Sequence, residues 1–283
     1  MKTGLVLEGG AMRGLFTAGV MDVMMAHGVM TDAVVGVSAG AVFGCNFKSR
    51  QIGRTIRYNK KYARDWRRGS FRSLFLTGDY YGADFCYRRI PEELDRFDTD
   101  TYRKTPMTFD VVCTDVETGK AVYHRCESCM GDDLKWMRAS ASMPMVSTPV
   151  EIEGRKYLDG GIADSIPLHY MEKMGISHNI VILTQPKGFV KKPNELLKLM
   201  RIVLRKYPQL IEAVAHRHEV YNAVTREIEE KERNGQILVI RPEAALGIGA
   251  ASRDAQEMER VYQLGRAEGE KRIDEILKFI GDK

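Results

Sequence analysis

Several features that would assign a protein to a special class are missing from this sequence of 283 residues. No apolar run approaches the roughly 18 residues that would suggest a membrane-spanning helix. The N-terminal residues contain no charged segment followed by an apolar one, so we expect no secretory signal peptide. No repeat and no low-complexity linker is present, and we therefore expect one domain over residues 1–283. The composition, 44% hydrophobic and 29% charged, is ordinary for a soluble globular protein.

Cysteine is scarce, with only five residues in the chain. An odd number of cysteines without a secretion signal indicates reduced thiols and a cytoplasmic protein. Cys126 and Cys129 form a CxxC motif with His124 nearby, but a zinc site normally needs a second pair of ligands at similar spacing, and none follows. We therefore predict loop or edge thiols, no metal site and no cofactor.

Acidic residues are almost absent from one segment. Residues 48–72 contain ten Lys or Arg and a single acid, Asp65, whereas the whole chain has a net charge of +5. This local balance of +9 leaves −4 for the rest of the chain. Such a block suggests an anionic partner, either nucleic acid or a membrane surface, and a solvated helix face explains it equally well. No nucleic-acid-binding motif is recognisable, so we expect no nucleic-acid partner.

Apolar runs alternate with helical periodicity in the first part of the chain. Leu5–Leu7 is a short apolar run, and a helical pattern follows it and stops near Gly28. Asp32–Val37 is a second apolar run, after which Ala41–Phe47 continues as a helix. Buried strands that alternate with helices predict an α/β fold with a mostly parallel central sheet and helices on both faces.

The remaining elements are predicted from the same patterns. We expect a basic helix over Gln51–Arg68, an irregular aromatic-rich stretch over 70–105, and a hairpin over 108–124. Further strands are expected at Asn179–Thr184 and Ile237–Ile240. Long helices are expected over 195–232, with an interruption near Pro208, and over 253–280.

The sequence Gly36-Val37-Ser38-Ala39-Gly40 matches the G-x-S-x-G pattern at a transition from strand to helix. A sharp turn of this kind exposes the serine hydroxyl, and glycines on both sides leave room for close backbone contacts. The helix that follows would stabilise negative charge near Ser38. A tight structural turn is the alternative, but the strand before it and the helix after it favour a nucleophile.

Two further glycine-rich segments follow strands. Gly9-Gly10-Ala11-Met12-Arg13-Gly14 comes directly after the first strand, where free backbone N–H groups can bind a substrate oxygen. Its spacing fits neither a dinucleotide-binding G-x-G-x-x-G turn nor a Walker A loop. Asp159-Gly160-Gly161 ends a short strand and, taken alone, is best interpreted as a turn.

Together these three segments resemble the patatin-like phospholipase family. That family has a glycine-rich loop with a basic residue, then G-x-S-x-G, then a D-G-G or D-G-A motif far downstream. Arg138–Ser142 with Pro144, and Asp164–Pro167, are also similar to family segments. The clear resemblance covers roughly residues 3–185, and residues 186–283 look like the helical extension, with one further strand, of bacterial stand-alone members. The resemblance implies the three-layer architecture of that family.

The resemblance implies a serine hydrolase with a Ser–Asp dyad and no histidine. Ser38 would attack an ester carbonyl to form an acyl-enzyme, and Asp159 would accept its proton and later activate water. N–H groups of Gly10 and Ala11, with neighbours Gly9 and Met12, would hold the oxyanion, and Arg13 would steady the loop. Ala11 departs from the family, which usually has glycine there, and any conformation restricted to glycine would be lost.

Two other functions stay open at this stage. The chain could be a patatin-like lipid-binding protein that has lost turnover, or a Ser-His-Asp esterase that uses one of the histidines after Asp159. A dinucleotide-binding enzyme is a more distant alternative. The expected substrate is a phospholipid or another lipid ester, hydrolysed without calcium. The basic, aromatic segment 48–72 predicts peripheral contact with an anionic membrane, on the inner face in a cytoplasmic protein. Met12, Met143 and Met145 are candidates for an acyl pocket.

Overall fold

A computed structural model describes residues 2–281 of the chain. Within these residues, eight strands form one mixed sheet. The strands are β1 (Thr3–Leu7), β2 (Ala33–Val37), β3 (Thr108–Asp115), β4 (Ala121–Arg125), β5 (Val150–Ile152), β6 (Arg155–Asp159), β7 (His178–Ile182) and β8 (Ile237–Ile240). Their order across the sheet is β5-β6-β3-β2-β1-β7-β8, and β4 pairs with β3. The pairs among β3, β2, β1, β7 and β8 are parallel, whereas β4, β5 and β6 form the antiparallel part.

Helices and short helical turns connect the strands. The α-helices of the described residues are α1 (Gly14–Ala26), α2 (Ala39–Lys48), α3 (Arg54–Lys61), α4 (Phe71–Thr77), α5 (Thr99–Lys104), α6 (Asp133–Ser140), α7 (Leu168–Lys173), α8 (Leu197–Val203), α9 (Pro208–Arg233) and α10 (Ala255–Gly281). A π-helix covers Phe85–Leu94, and 3-10 turns cover Ala11–Arg13 and Gly160–Ile162. No helix within residues 2–281 has both the length and the apolar character needed to cross a membrane.

Both faces of the sheet are buried by helices. Leu5 and Leu7 of β1 pack in one apolar cluster with residues of α1, α2, α6 and α10. Val6, on the opposite side of the same strand, packs with residues of α7 and α9. This alternation follows from the period of two in a strand, and it explains why the parallel strands are apolar at nearly every position. The predicted fold class, a mostly parallel sheet with helices on both faces, is confirmed.

The segment between β2 and β3 differs from the sequence-based expectation. The helix predicted over Gln51–Arg68 is limited to α3, Arg54–Lys61. The stretch 70–105, predicted to be irregular, contains α4, the π-helix and α5. Phe85 and Ile90 of the π-helix are buried in the main core, so tertiary packing stabilises a helix whose local pattern is weak.

The C-terminal helix α10 crosses α1 at a pair of glycines. A Cβ atom at Gly19 would lie 2.2 Å from the carbonyl oxygen of Tyr262, and one at Gly265 would lie 2.0 Å from that of Phe16. The two backbones are therefore in direct contact, closer than any side chain would allow. Because α1 directly follows the glycine-rich loop, residues of the C-terminal part support the N-terminal part of the fold.

Candidate active site

Ser38 occupies a strained turn between β2 and α2. Its backbone has φ 54° and ψ −120°, a conformation that a non-glycine residue rarely adopts. The turn lies against neighbouring backbone: a Cβ atom at Gly36 would lie 2.5 Å from the carbonyl oxygen of Gly40, and one at Gly40 would lie 2.5 Å from that of Leu7. The two flanking glycines are therefore required by close approach, as the G-x-S-x-G pattern predicts for an exposed nucleophile.

Strand β3 brings Asp159 to the end of β2. Val37, the last residue of β2, pairs with Val112, and Asp159, the last residue of β6, pairs with the next residue, Cys113. Because β4 occupies the other edge of β3 at both positions, β2 and β6 meet end to end along one edge. Ser38 directly follows Val37, so the hydrogen-bonding register places the serine beside the aspartate.

Ser140, at the end of α6, fills the junction between these strands. Its buried hydroxyl donates to the carbonyl oxygen of Val112 at 2.6 Å and accepts the N–H of Ser38 at 2.9 Å. Two residues further on, the carbonyl of Ser142 accepts the N–H of Asp159 at 2.8 Å. The backbones of Ser38 and Asp159 are thus both anchored to the C-terminal end of α6.

Asp159 is a buried carboxylate in contact with Ser38. Burial raises its pKa above the ordinary carboxyl value. The nearby Ser38 hydroxyl, the positive charge of Arg217 and the N–H of Gly161 act in the opposite direction on this pKa. The Gly161 N–H lies 2.8 Å from Oδ1 of Asp159, and a Cβ atom at Gly160 would lie 2.1 Å from the carbonyl oxygen of Val112. Both glycines of the D-G-G motif therefore hold the carboxylate at this position.

The glycine-rich loop after β1 lies across the same site. The N–H of Gly9 donates to the carbonyl of Ser165 at 3.4 Å, and the N–H of Arg13 donates to that of Gly10 at 3.1 Å. The expectation that Gly9 contributes a free N–H to an oxyanion hole is therefore wrong in this arrangement. Among residues 2–281, the N–H groups of Gly10 and Ala11 have no backbone or side-chain acceptor, as expected for the start of a helical turn.

Ala11 adopts the conformation that glycine usually supplies at this position. Its φ is 49°, in the left-handed region, which costs an L-residue about 1–2 kcal/mol. Ala11 therefore holds, at the expense of backbone strain, a conformation that glycine adopts freely. Gly10 is extended, with φ −165°, and is required instead by contact, because a Cβ atom there would lie 2.6 Å from Oγ1 of Thr184.

Ser38 lies where two cavities of different character meet. The first, of about 130 Å³, is apolar, and its wall includes Met12, Val42, Phe43, Tyr87, Ile90 and Met137. The second, of about 240 Å³, is more polar, and its lining includes Asp159 together with Arg13, Lys191 and Arg217. Of the methionines proposed for an acyl pocket, Met12 and Met143 line the apolar cavity, whereas Met145 packs in a separate core cluster.

No histidine of the described residues lines either cavity. His169 is exposed, and its Nε2 lies 2.7 Å from Oε2 of Glu227. His216 is also exposed, between Glu212 and Glu219 on α9. The geometry therefore supplies no partner for a Ser-His-Asp triad.

The CxxC cysteines lie in the loop between β4 and α6, but they are buried. Cys126 and Cys129 are 1% and 2% exposed, and burial raises the pKa of the Cys129 thiol well above its usual range. His124 and Asp133 lie beside Cys126. The Asp133 carboxylate already accepts the N–H of Cys129, at 3.0 Å, and contacts His124 Nε2, also at 3.0 Å. The prediction of loop or edge thiols therefore holds for the loop position, and the structure adds that these thiols are buried against the core.

Most of the charge in the basic segment 48–72 is engaged within the chain. Lys48, Arg54 and Arg68 are buried, with Lys48 Nζ 4.2 Å from the centre of the Tyr102 ring. Three others form ion pairs: Arg57 with Asp95, Lys60 with Glu259, and Arg67 with Asp65. The end of the segment is different, because Trp66, Phe71 and Arg72 stay exposed around the start of α4.

Three residues of the site are not predicted from the sequence. Ser140 belongs to a segment that resembles the family, but the sequence alone indicates no role for its hydroxyl. Lys191 and Arg217 come from an irregular segment and from the polar helix α9, and only the fold directs them toward Ser38. Helix α9 carries many charged residues, so the spacing of apolar residues does not indicate that Arg217 faces the site.

Comparisons with known proteins give two matching family descriptions and several relatives. A sequence model described as patatin-like phospholipase matches residues 5–171, and one described as a domain of unknown function matches residues 207–281. The uncharacterized protein YjjU of Escherichia coli (strain K12) is 29% identical over 303 residues, covering 100% of this chain and 80% of YjjU. Lysophospholipase NTE1 of Scheffersomyces stipitis is 27% identical over 192 residues, covering 63% of this chain.

The chain spans only 11% of the length of that lysophospholipase. Lysophospholipase NTE1 of Lodderomyces elongisporus is 24% identical over 98% of this chain, which corresponds to 20% of the yeast protein. Among solved structures, VipD from Legionella pneumophila aligns with 97% of this chain and 67% of its own, with 11% identity and a TM-score of 0.47.

Proposed function

The chain belongs to the patatin-like phospholipase family, and from this premise we propose that it is a serine hydrolase of lipid acyl esters. The observation that carries the proposal is the position of Ser38 beside the buried Asp159 carboxylate, at the junction of an apolar and a more polar cavity. A nucleophile, a base and cavities that can hold a substrate are therefore adjacent to one another. These are the elements required for acyl transfer to serine.

The first half of the reaction forms an acyl-enzyme. Ser38 Oγ attacks the ester carbonyl carbon while Asp159 accepts the hydroxyl proton. The carbonyl oxygen becomes an oxyanion, and the N–H groups of Gly10 and Ala11 stabilise it with the helical turn behind them. The C–O bond to the alcohol then breaks, and the departing oxygen takes the proton from Asp159. The acyl group stays on Ser38 with its chain in the apolar cavity.

The second half regenerates the serine. Asp159 accepts a proton from water, the resulting hydroxide attacks the acyl carbon, and the tetrahedral intermediate collapses. Ser38 leaves as the alcohol after the same proton returns to it from Asp159. The raised pKa of Asp159 supports this role, because a carboxylate with an ordinary pKa is a weak base at neutral pH.

The exposed end of the basic segment supports contact with a lipid surface. Phe71 and Phe75 of α4 are 79% and 89% exposed, and Arg72 lies beside them. Phe71 packs edge-on against Tyr80, whose neighbour Tyr81 lines the apolar cavity. Substrate would therefore enter the apolar cavity from an anionic membrane beside α4.

The test is covalent labelling with a fluorophosphonate probe, together with turnover of a p-nitrophenyl ester. We expect wild type to be labelled and active, and expect the label to vanish in Ser38→Ala. Turnover should fall by about 10³-fold or more in both Ser38→Ala and Asp159→Asn. Ser177→Ala, at an exposed serine near the start of β7, is the matched control and should behave like wild type.

Two outcomes would contradict the proposal. A folded wild type that is neither labelled nor active on soluble esters or on anionic vesicles would favour the lipid-binding alternative. Full activity in Asp159→Asn would remove the aspartate from the mechanism. Hydrolysis should also persist in excess chelator, since neither step requires a metal ion.

A further inference from the structure

The polar cavity beside Ser38 is lined by three cationic side chains with no acidic partner. Within residues 2–281, Arg13, Lys191 and Arg217 form no ion pair with an aspartate or glutamate. Nε of Arg13 is buried and has no hydrogen-bond partner. Unpaired cations that are partly removed from water are costly, so a cavity that collects three of them is suited to an anion.

The two carboxylates of the cavity do not neutralise these cations directly. Glu8 is buried and already accepts hydrogen bonds from the Thr184 N–H, the Thr184 hydroxyl and, at 2.8 Å, the Tyr221 hydroxyl. Asp159 accepts the N–H of Gly161 at 2.8 Å and lies beside Ser38. The formal charge of the lining is therefore +1, and although Arg217 Nε is engaged by the Gly161 carbonyl, no acidic group pairs with any of the three cations.

Lys191 is held at this position by its surroundings. Its N–H donates to Oδ1 of Asn222 at 2.8 Å, its carbonyl accepts from the same side chain, and Nζ lies 4.3 Å from the centre of the Tyr221 ring. Burial, helped by the charge of Arg217, lowers the pKa of Lys191 to about 8. An anion bound beside Lys191 would offset this loss of solvation.

Arg217 connects the cationic cavity with the proposed base. Its Nε donates to the carbonyl of Gly161, and its charge lowers the pKa of Asp159. Because Arg217 also positions the D-G-G turn, its removal would disturb the dyad itself. Lys191 makes no contact with the dyad and is therefore the residue that can separate substrate recognition from chemistry.

We propose that this cavity binds the phosphate of a glycerophospholipid, with Lys191 as the residue that selects phosphate-bearing esters over neutral ones. The proposal rests on the proposed hydrolase function and specifies its substrate class. Ser38, Ala11 and Met143 line both cavities, so an ester carbonyl at Ser38 would have its acyl chain on the apolar side and its head group on the cationic side. A monoacyl or diacyl glycerol phosphodiester has this order of groups.

The experiment compares two monoacyl esters of the same chain length in the same detergent micelles. One is lysophosphatidylglycerol and the other is the neutral monoacylglycerol, and the readout is the ratio of their kcat/KM values. We expect Lys191→Met to lower this ratio by about tenfold or more, as for the loss of one charge-assisted hydrogen bond. Lys192→Met, at the exposed neighbouring lysine, is the matched control and should change the ratio by less than about twofold.

A binding measurement keeps this test independent of turnover. Titration calorimetry with monomeric lysophosphatidylglycerol should show weaker binding to Lys191→Met than to Lys192→Met or wild type. An unchanged ratio and unchanged binding would overturn the phosphate assignment, whether or not the enzyme is active. Weaker lipid binding in a protein that fluorophosphonate does not label would instead overturn the hydrolase function alone. Competitive inhibition by inorganic phosphate with an unchanged lipid ratio would show a site for free phosphate only and also overturn the proposal.

Discussion

Asp159 is held in the interior beside Ser38, and this position has a free-energy cost. Burial raises its pKa in the folded state above the usual carboxyl value, so the folded state binds the proton more tightly than the unfolded state. Between the ordinary pKa and the raised one, the free energy of unfolding decreases as pH rises. Above the raised pKa, Asp159 is charged in the folded state, and the whole free-energy cost of burying that charge is present. The burial that makes this carboxylate a stronger base therefore also lowers the free energy of unfolding.

We therefore predict that Asp159→Asn is more stable than wild type at neutral pH although it is inactive. The amide keeps an oxygen for the Gly161 N–H but carries no charge to desolvate. Urea unfolding at several pH values measures the difference, which should shrink as pH falls through the raised pKa. Asp274→Asn, at an exposed position of α10, should show no such gain. A variant less stable than wild type at every pH would contradict this account of Asp159.

Two short helices at the rim of the site expose apolar side chains. In α4 these are Phe71, Phe75 and Leu76, and α4 lies beside the apolar cavity. In α8 the exposed side chains include Ile202 and Val203, while Met200 of the same helix lines the cationic cavity. Apolar side chains on basic surface elements are typical of proteins that bind a lipid interface.

We predict that Phe75→Asp weakens binding to vesicles containing anionic lipid by about tenfold, because a large apolar side chain can no longer enter the interface. Vesicle sedimentation measures the effect, and hydrolysis of a soluble short-chain ester should stay close to wild type. Met174→Asp replaces an exposed apolar residue that precedes β7 and lies outside α4 and α8, and it serves as the control. Equal loss of vesicle binding in both variants would argue against a role for α4.

At the scale of the whole molecule, the regions covered by the two family descriptions are joined by backbone contacts. Strand β8, within residues 207–281, pairs with β7, which lies between the two matched regions and pairs in turn with β1 of the first. Helix α10 crosses α1 at Gly19 and Gly265. Arg217 of α9 reaches the D-G-G turn of the N-terminal region. We infer that residues 2–281 unfold as one cooperative unit.

The crossing of α1 and α10 tests this inference. Gly265→Ala should lower the free energy of unfolding by about 1–3 kcal/mol, because the new methyl group meets the carbonyl of Phe16 and separates the helices. Unfolding followed by circular dichroism should keep a single transition that coincides with loss of ester turnover. Gly249→Ala, where no atom lies within 4 Å of the added Cβ, is the control. Two separate transitions would show that the C-terminal part folds independently.

The local features of this protein are determined by the sequence alone. Short apolar runs become the buried parallel strands, because a strand covered on both faces needs apolar residues at consecutive positions. The elbow at Ser38 is also local, since Gly36 and Gly40 are the residues that permit the sharp turn. The order of the glycine loop, the elbow and the D-G-G segment is sufficient to predict the family, which the comparison confirms.

Tertiary structure decides the features that depend on distant partners. The strand register on β3 places Asp159 next to Ser38, and Ser140 joins them from a third element. The charge of segment 48–72 suggests a basic surface in the sequence, yet Arg54 and Arg68 are buried against partners that a linear pattern does not reveal. Periodicity reports which face of an element is apolar, but the position of a charge relative to the active site is set only when the elements pack together.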